Sequence, residues 1–197
     1  MKNVFKHTKK GILIVAMMSS IVGFADEAKL LITKKSKNTA LVLNNVKQGH
    51  LIFIKDKEGI ILYKEAVQVN GLYKKGFDLA SLPNGNYFFE IEKDLEINTI
   101  PFKVEANKVL FSKKEESTFY KPYIHLKDDV LYVTKLSLKD EAIKVHIYLD
   151  QGNNFELVHT ERANNVMTFE KAFKLEKGNY KIVINSNNKE YTKFVNN

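Results

Sequence analysis

Apolar and polar side chains alternate with a period of two over much of this chain. The clearest stretch is Lys144-Val145-His146-Ile147-Tyr148-Leu149, in which Val145, Ile147 and Leu149 fall on one side and Lys144, His146 and Tyr148 on the other. That alternation predicts a half-buried strand. Runs rich in Val, Ile, Phe and Tyr, the residues that strands favour, recur at Leu51-Ile52-Phe53-Ile54, Phe88-Phe89-Glu90-Ile91 and Lys181-Ile182-Val183-Ile184. Turn-forming clusters separate them: Asp56-Lys57-Glu58-Gly59, Asn70-Gly71, Pro83-Asn84-Gly85 and Asp150-Gln151-Gly152-Asn153-Asn154. Beyond residue 25 no stretch keeps apolar residues at i, i+3, i+4 and i+7 over three turns. The expectation is an all-β chain.

Part of the pattern repeats. Leu82-Pro83-Asn84-Gly85-Asn86-Tyr87 returns as Leu175-Glu176-Lys177-Gly178-Asn179-Tyr180, and each copy leads into an apolar run. Upstream, Leu41-Val42-Leu43-Asn44-Asn45-Val46 lines up with Leu131-Tyr132-Val133-Thr134-Lys135-Leu136. Leu51-Ile52-Phe53-Ile54-Lys55-Asp56 lines up with Val145-His146-Ile147-Tyr148-Leu149-Asp150, and Ile61-Leu62-Tyr63-Lys64-Glu65 with Leu157-Val158-His159-Thr160-Glu161. Blocks that keep their order predict two copies of one domain. About six or seven short strands per copy, set between turns, are the pattern of an antiparallel β-sandwich of immunoglobulin type.

The Leu-x-x-Gly-Asn-Tyr element fits one feature of such sandwiches. A tyrosine near the start of a late strand packs at a corner and bonds its hydroxyl to the backbone a few residues upstream. Tyr87 and Tyr180 take that role, with Leu82 and Leu175 capping the core and Gly85 and Gly178 making the turn. Ser112-Lys113-Lys114-Glu115-Glu116-Ser117-Thr118 is polar without alternation and reads as a linker. The predicted layout is a sandwich over 26–111, a linker over 112–122 and a second sandwich over 123–197.

Residues 1–25 are different. Lys2, Lys6, Lys9 and Lys10 precede an apolar run, and Gly23-Phe24-Ala25 places small residues three before and one before a cut between Ala25 and Asp26. These are the three parts of a secretory signal peptide. The run falls short of the roughly twenty apolar residues a spanning helix needs, so no transmembrane segment is expected in the mature chain. The export signal also changes the charge. The whole chain carries 31 Lys and Arg against 23 Asp and Glu, a formal +8; without those four lysines, 27 against 23 leaves +4. The expected location is secreted, periplasmic or at the cell surface.

Ile52-Phe53-Ile54-Lys55-Asp56, then Gly59, then Phe77-Asp78-Leu79-Ala80-Ser81-Leu82-Pro83-Asn84-Gly85-Asn86-Tyr87-Phe88 resembles the immunoglobulin-like C-terminal sorting domain of the type IX secretion pathway. The likeness covers roughly residues 50 to 104 and is weaker over 143 to 195, where Leu175-Glu176 stands in place of Leu-Pro. The resemblance implies an immunoglobulin-like fold and an exported setting. It also implies an alternative role, in which the C-terminal sandwich addresses the protein to an export machine.

Candidate chemistry is sparse. The chain has no Cys, which excludes thiol catalysis, cysteine-ligated zinc and iron–sulfur clusters. His50, His125, His146 and His159 lack metal-ligand spacing and read as scattered surface histidines. Glu115-Glu116, Asp128-Asp129 and Asp140-Glu141 fall where turns or linker are expected, so they read as solvated acids rather than a catalytic pair. Asp150-Gln151-Gly152-Asn153-Asn154 lacks the ligand ladder of a calcium loop and reads as a hairpin turn. Lys34-Lys35-Lys37, Lys74-Lys75 and Lys113-Lys114 are dispersed and offset by acids, so no nucleic-acid partner is expected. The sequence therefore predicts an exported, non-enzymatic binding or structural module with no cofactor or metal, whose partner is an envelope protein or a polysaccharide. The expected contact regions are the crevice between the copies and loops at Asn70-Gly71 and Ala163-Asn164-Asn165.

Overall fold

The computed structural model describes residues 14–15 and 39–197; the Ala25–Asp26 cleavage pair and Lys34, Lys35 and Lys37 lie outside them. The described residues form an all-β structure in which every strand pairing is antiparallel. They divide into two compact units, the first ending at Lys121 and the second beginning at Pro122.

In the first unit β2 (Thr39–Val46) pairs with β5 (Gly71–Phe77) as a two-stranded sheet. A six-stranded sheet runs β4 (Ile61–Ala66), β3 (Leu51–Asp56), β6 (Gly85–Glu92), β7 (Glu96–Glu105) and β8 (Lys108–Phe111), with β9 (Ser117–Tyr120) also on β7. The alternation read from sequence sets the inward faces. Leu41 and Leu43 of β2, Ile52 and Ile54 of β3, Phe89 and Ile91 of β6, and Phe102 and Val104 of β7 meet in one buried cluster. Burying each such side chain contributes about 1.5–3 kcal/mol. Phe77 meets Phe89 edge-on and Phe89 meets Phe102 at a tilt in this core, with centroid spacings of 5.4 and 5.5 Å.

The second unit builds one continuous sheet. β11 (Val130–Asp150) and β12 (Phe155–Lys174) are a long hairpin whose two halves lie over the same core: Leu131 and Val133 from one half of β11 join Ile143, Val145 and Ile147 from the other. β10 (Tyr123–Lys127) pairs with the first half of β11, and β13 (Asn179–Ser186) with the second, followed by β14 (Lys189–Asn196). β1 (Ile14–Val15) lies beside Phe173 and Ala172 of β12. Two hairpins here turn on two residues with positive φ: Asp128-Asp129 between β10 and β11, and Asn187-Asn188 between β13 and β14. Asp and Asn tolerate the left-handed conformation that these tight connections require.

The fold of β11 is made at an irregular register between Leu136 and Glu141, the kind of extra-residue bulge that bends a strand. Polarity inverts on approach to it. Lys135 and Ser137 point inward, 4% and 5% exposed, while Leu136 and Leu138 are 45% and 56% exposed. The buried ammonium is held by Glu141 Oε2 at 2.5 Å and Ser137 Oγ at 2.6 Å, and the Ser186 hydroxyl donates to the Ala142 carbonyl at 3.2 Å. A buried cation demands such partners, and the bulge is what brings Glu141 back to it.

Three expectations from sequence need correction. Residues 112–122 are mostly integral to the first unit: β8 and β9 both pair with β7, and Lys113–Glu115 forms a 3-10 turn between them. The polar composition there reflects exposed edge positions rather than a free linker. Asp140-Glu141 is not a turn but part of β11. Ala163-Asn164-Asn165 is not a loop but lies within β12, where the register shifts and Asn165 has φ 53°.

Because Lys135 depends on its partner, Glu141→Ala is expected to lower stability by about 3 kcal/mol. Lys135→Leu added to Glu141→Ala is expected to return it to within about 1 kcal/mol of the parent, since the uncompensated buried charge is gone. Urea denaturation of the single and double variants reads this directly, and equal losses in both would refute it.

Candidate functional site

The corner residues sit as the motif requires. Tyr87 is buried at the start of β6 and its hydroxyl donates to the Pro83 carbonyl at 2.8 Å. Tyr180, at the start of β13, donates to the Glu176 carbonyl at 3.1 Å. A Cβ on Gly85 would stand 3.3 Å from the Tyr87 hydroxyl, and one on Gly178 would stand 3.0 Å from Leu149 Cδ1. Close approach of these side chains, more than turn geometry at Gly85, accounts for glycine. Leu175 is buried, but Leu82 is only half-buried and Leu79 fills the core beneath it.

A second cluster closes the side of the first unit where its two sheets share no backbone hydrogen bonds. Glu65 of β4 accepts from the Tyr73 hydroxyl at 3.0 Å and from Lys75 Nζ at 2.7 Å, both on β5, and from the Tyr63 hydroxyl on its own strand. Lys75 also donates to the Tyr63 hydroxyl at 2.6 Å. The Tyr63 ring stands edge-on to Phe77, 5.2 Å between centroids. Hydrogen bonds from Lys75 and then Tyr63 hold the Glu65 carboxyl below its usual range, whereas burial and the Glu65 bond push Tyr73 up. Its residues are individually ordinary in the sequence, and the cross-strand pairing in each sheet is what brings them together. In the second unit Lys171 Nζ lies 3.3 Å from Glu161 Oε1, with the His159 ring 5.1 Å from Phe173.

The sequence-derived candidates are dispersed. His50 is not on the surface: it is 5% exposed, its Nδ1 accepts from the Lys47 backbone N–H, and burial holds its pKa below the usual value. Its Nε2 faces Asp94 at 3.6 Å, too far for a hydrogen bond. His125 is exposed and His159 half-buried. Asp129 reaches Lys177 at 2.7 Å, and Glu115-Glu116 and Lys113-Lys114 are exposed. Asp150 Oδ1 accepts from the Gly152 N–H at 2.8 Å, closing the hairpin turn. At Asn70-Gly71 the Asn70 side chain accepts from the Gln48 N–H at 2.8 Å. Among the described residues no three His, Asp or Glu gather as a metal site, and no helix is long and apolar enough to cross a membrane.

One surface does bring functional groups together. Lys144, His146 and Tyr148 face outward on β11, and the strand register sets Asn185 and then Glu190 beside Lys144, with Arg162 on its other side. Lys144, Arg162, Asn185 and Glu190 line an open groove of about 650 Å³ together with Asn164 and the Asn187-Asn188 turn. Farther along, Lys181 lies beside Tyr148, its ammonium 4.8 Å from that ring and 4.6 Å from Phe155, and Phe155 and Phe194 are 6.0 Å apart. Burial, then Lys144 and Arg162, hold His146 below its usual pKa, with Glu190 opposing them.

Tyr87→Phe is expected to lower stability by about 1 kcal/mol through loss of the corner hydrogen bond; an unchanged urea midpoint would refute that role. Glu65→Gln is expected to lower stability by about 1 kcal/mol at pH 7, a modest figure because the cluster is partly exposed. The folded carboxyl is depressed, so its contribution is fully present above the ordinary carboxylate range and is lost as pH falls through the folded value. The difference between parent and Glu65→Gln should therefore narrow as pH falls below the ordinary carboxylate range, and a gap independent of pH would count against the ion pair.

No family model matches the chain, and no curated protein shows significant similarity to it.

Proposed function

We propose that this protein is an exported, non-enzymatic binding module of the cell envelope or extracellular space, built from two tandem immunoglobulin-like sandwiches. The shared pairing order supports the fold reading. In the first unit β2 pairs with β5 and the sheet runs β4, β3, β6, β7; in the second the two halves of β11 and β12 take the places of β2, β3, β4 and β5, with β13 and β14 as β6 and β7. The edge cluster supports it independently. Tyr63, Glu65, Tyr73, Lys75 and Phe77 correspond to His159, Glu161, Phe169, Lys171 and Phe173, each pair 96 positions apart. The register also moves one block by a residue: Ile52 and Ile54, opposite Ile91 and Phe89, match Val145 and Ile147, opposite Ile184 and Ile182.

The observation that carries the binding role is the contrast between equivalent faces. On the first unit the outward charges are paired with one another, Lys55 with Glu90 at 2.7 Å and Lys121 with Glu92 at 2.8 Å, and Lys55 and Lys64 cover the Phe53 ring. On the second, Lys144 and Arg162 make no ion pair among the described residues; farther along the same face Lys181 lies over Tyr148 and Phe155, and Phe155 and Phe194 are 40% and 65% exposed. An open polar and aromatic face of this kind is a surface for a ligand.

Cleavage after Ala25 would remove β1 and leave the edge of β12 at Ala172 and Phe173 without that neighbour. Intact masses of the protein from periplasm, cell surface and medium test the reading. A single species running from Asp26 to Asn197 is expected. A product that ends near the Lys121–Pro122 junction would overturn it in favour of a sorting role for the second sandwich, and retention of residues 1–25 would overturn export by a cleaved signal.

A further inference from the structure

Two kinds of chemistry share one face of the second unit, set apart along the strand. At one end Lys144 and Arg162 flank the groove. At the other, Tyr148, Phe155 and Phe194 form an aromatic platform around Lys181. Lys144 and Tyr148 are four residues apart on β11, about 13 Å at the rise of a strand. Phe155 and Phe194 are 40% and 65% exposed; Lys181 lies over Phe155, which leaves the more exposed Phe194 ring, tilted 51° from it, for a flat partner. The amides lining the groove are explained in part by backbone needs, since Asn187 and Asn188 occupy left-handed turn positions. Once there, each offers both donor and acceptor to a hydroxyl-rich chain.

We propose that this face binds an acidic polysaccharide carrying carboxylates, with sugar rings on the aromatic platform and a carboxylate between Lys144 and Arg162. The proposal rests on the binding-module reading above and names its ligand class. Charge complementarity chooses the ligand. Among the described residues Arg162 and Lys144 have no ion-pair partner, and the planar fork of Arg matches a carboxylate. Glu190 on the same face makes the site only moderately positive, which suits a sparsely charged chain with many hydroxyls. A single-stranded nucleic acid instead calls for cations tracking its backbone with stacking rings interleaved, whereas here Lys181 alone stands among the rings and Lys144 and Arg162 lie apart from them at the groove.

The experiment is titration of the purified protein, both units present, with polygalacturonate, dextran and poly(dT) at low and physiological salt. Binding to polygalacturonate, weakened by salt and absent for dextran, is expected. Arg162→Glu with Lys144→Glu should weaken it about tenfold or more, and Phe155→Ser with Phe194→Ser should do the same while near-native urea midpoints show that the fold is retained. Lys64→Glu on the first unit should leave it unchanged. Equal binding to poly(dT), no loss in either pair of variants, or no polygalacturonate binding at all each overturns the proposal. Retention of the protein on insoluble envelope from its own source is measured alongside. If the wild type and the Lys144→Glu, Arg162→Glu variant are retained alike, this face is overturned and the binding-module reading stands; if the wild type is not retained, that reading falls with it.

Discussion

Two sheets laid over a common core must be closed at the side where no ladder of backbone hydrogen bonds joins them. In this protein that closure falls to side chains. Glu65 on one sheet of the first unit gathers Lys75 and Tyr73 from the other, while Tyr63 beneath it leans on Phe77. The carboxylate is only partly solvated, so its hydrogen bonds are charge-assisted and directional. The apolar ring below gives the same join a share in the core. Everything inward of this edge, including the contacts among Phe77, Phe89 and Phe102, depends on the sheets staying in register across it. The second unit has Glu161 and Lys171 at 3.3 Å above Phe173.

The second unit meets the same constraint differently, by running single strands through both layers. That continuity forces a bend, and the bend places a lysine in the interior. Lys135 and Ser137 face inward where Leu131 and Val133 did so a few residues earlier. An apolar residue would have needed no partner, but the ammonium ties the inner face of the bend to Glu141 and so to a specific register. The exposed leucines on either side are the reverse of that choice.

Much of this was legible in the sequence, for physical reasons that differ from element to element. Period-two alternation marks the strands of both units because each has one wet and one dry face. The Leu-x-x-Gly-Asn-Tyr elements were readable because a side chain closes on each glycine, Tyr87 on Gly85 and Leu149 on Gly178. The strand blocks were aligned a residue or two out of register, because apolar runs such as Leu51-Ile52-Phe53-Ile54 have three buried neighbours in a row and hide which residues face the core. Residues 112–118 looked like a linker since edge strands with one exposed side need little hydrophobicity. His50 was misjudged because its burial depends on a turn closed by its own ring nitrogen. The edge cluster did leave a signal, five positions repeated at one constant spacing, but its residues are individually ordinary. The open face on the second unit assembles from β11, β12, β13 and β14, and only the register of the sheet shows that Arg162, Lys144 and Asn185 are neighbours.

The continuous pairing of β11 with β12 also bears on how the second unit comes to fold. The hairpin begins at the short turn between Asp150 and Phe155 and extends to Val130 opposite Lys174. Each new pair closes only a slightly larger loop than the last, so the entropic penalty rises slowly as the hairpin zips outward. By the time the zipper reaches Leu131 and Phe173, both layers exist and are already covalently joined. Docking of β10, β13 and β14 then completes a core whose topology is decided in advance.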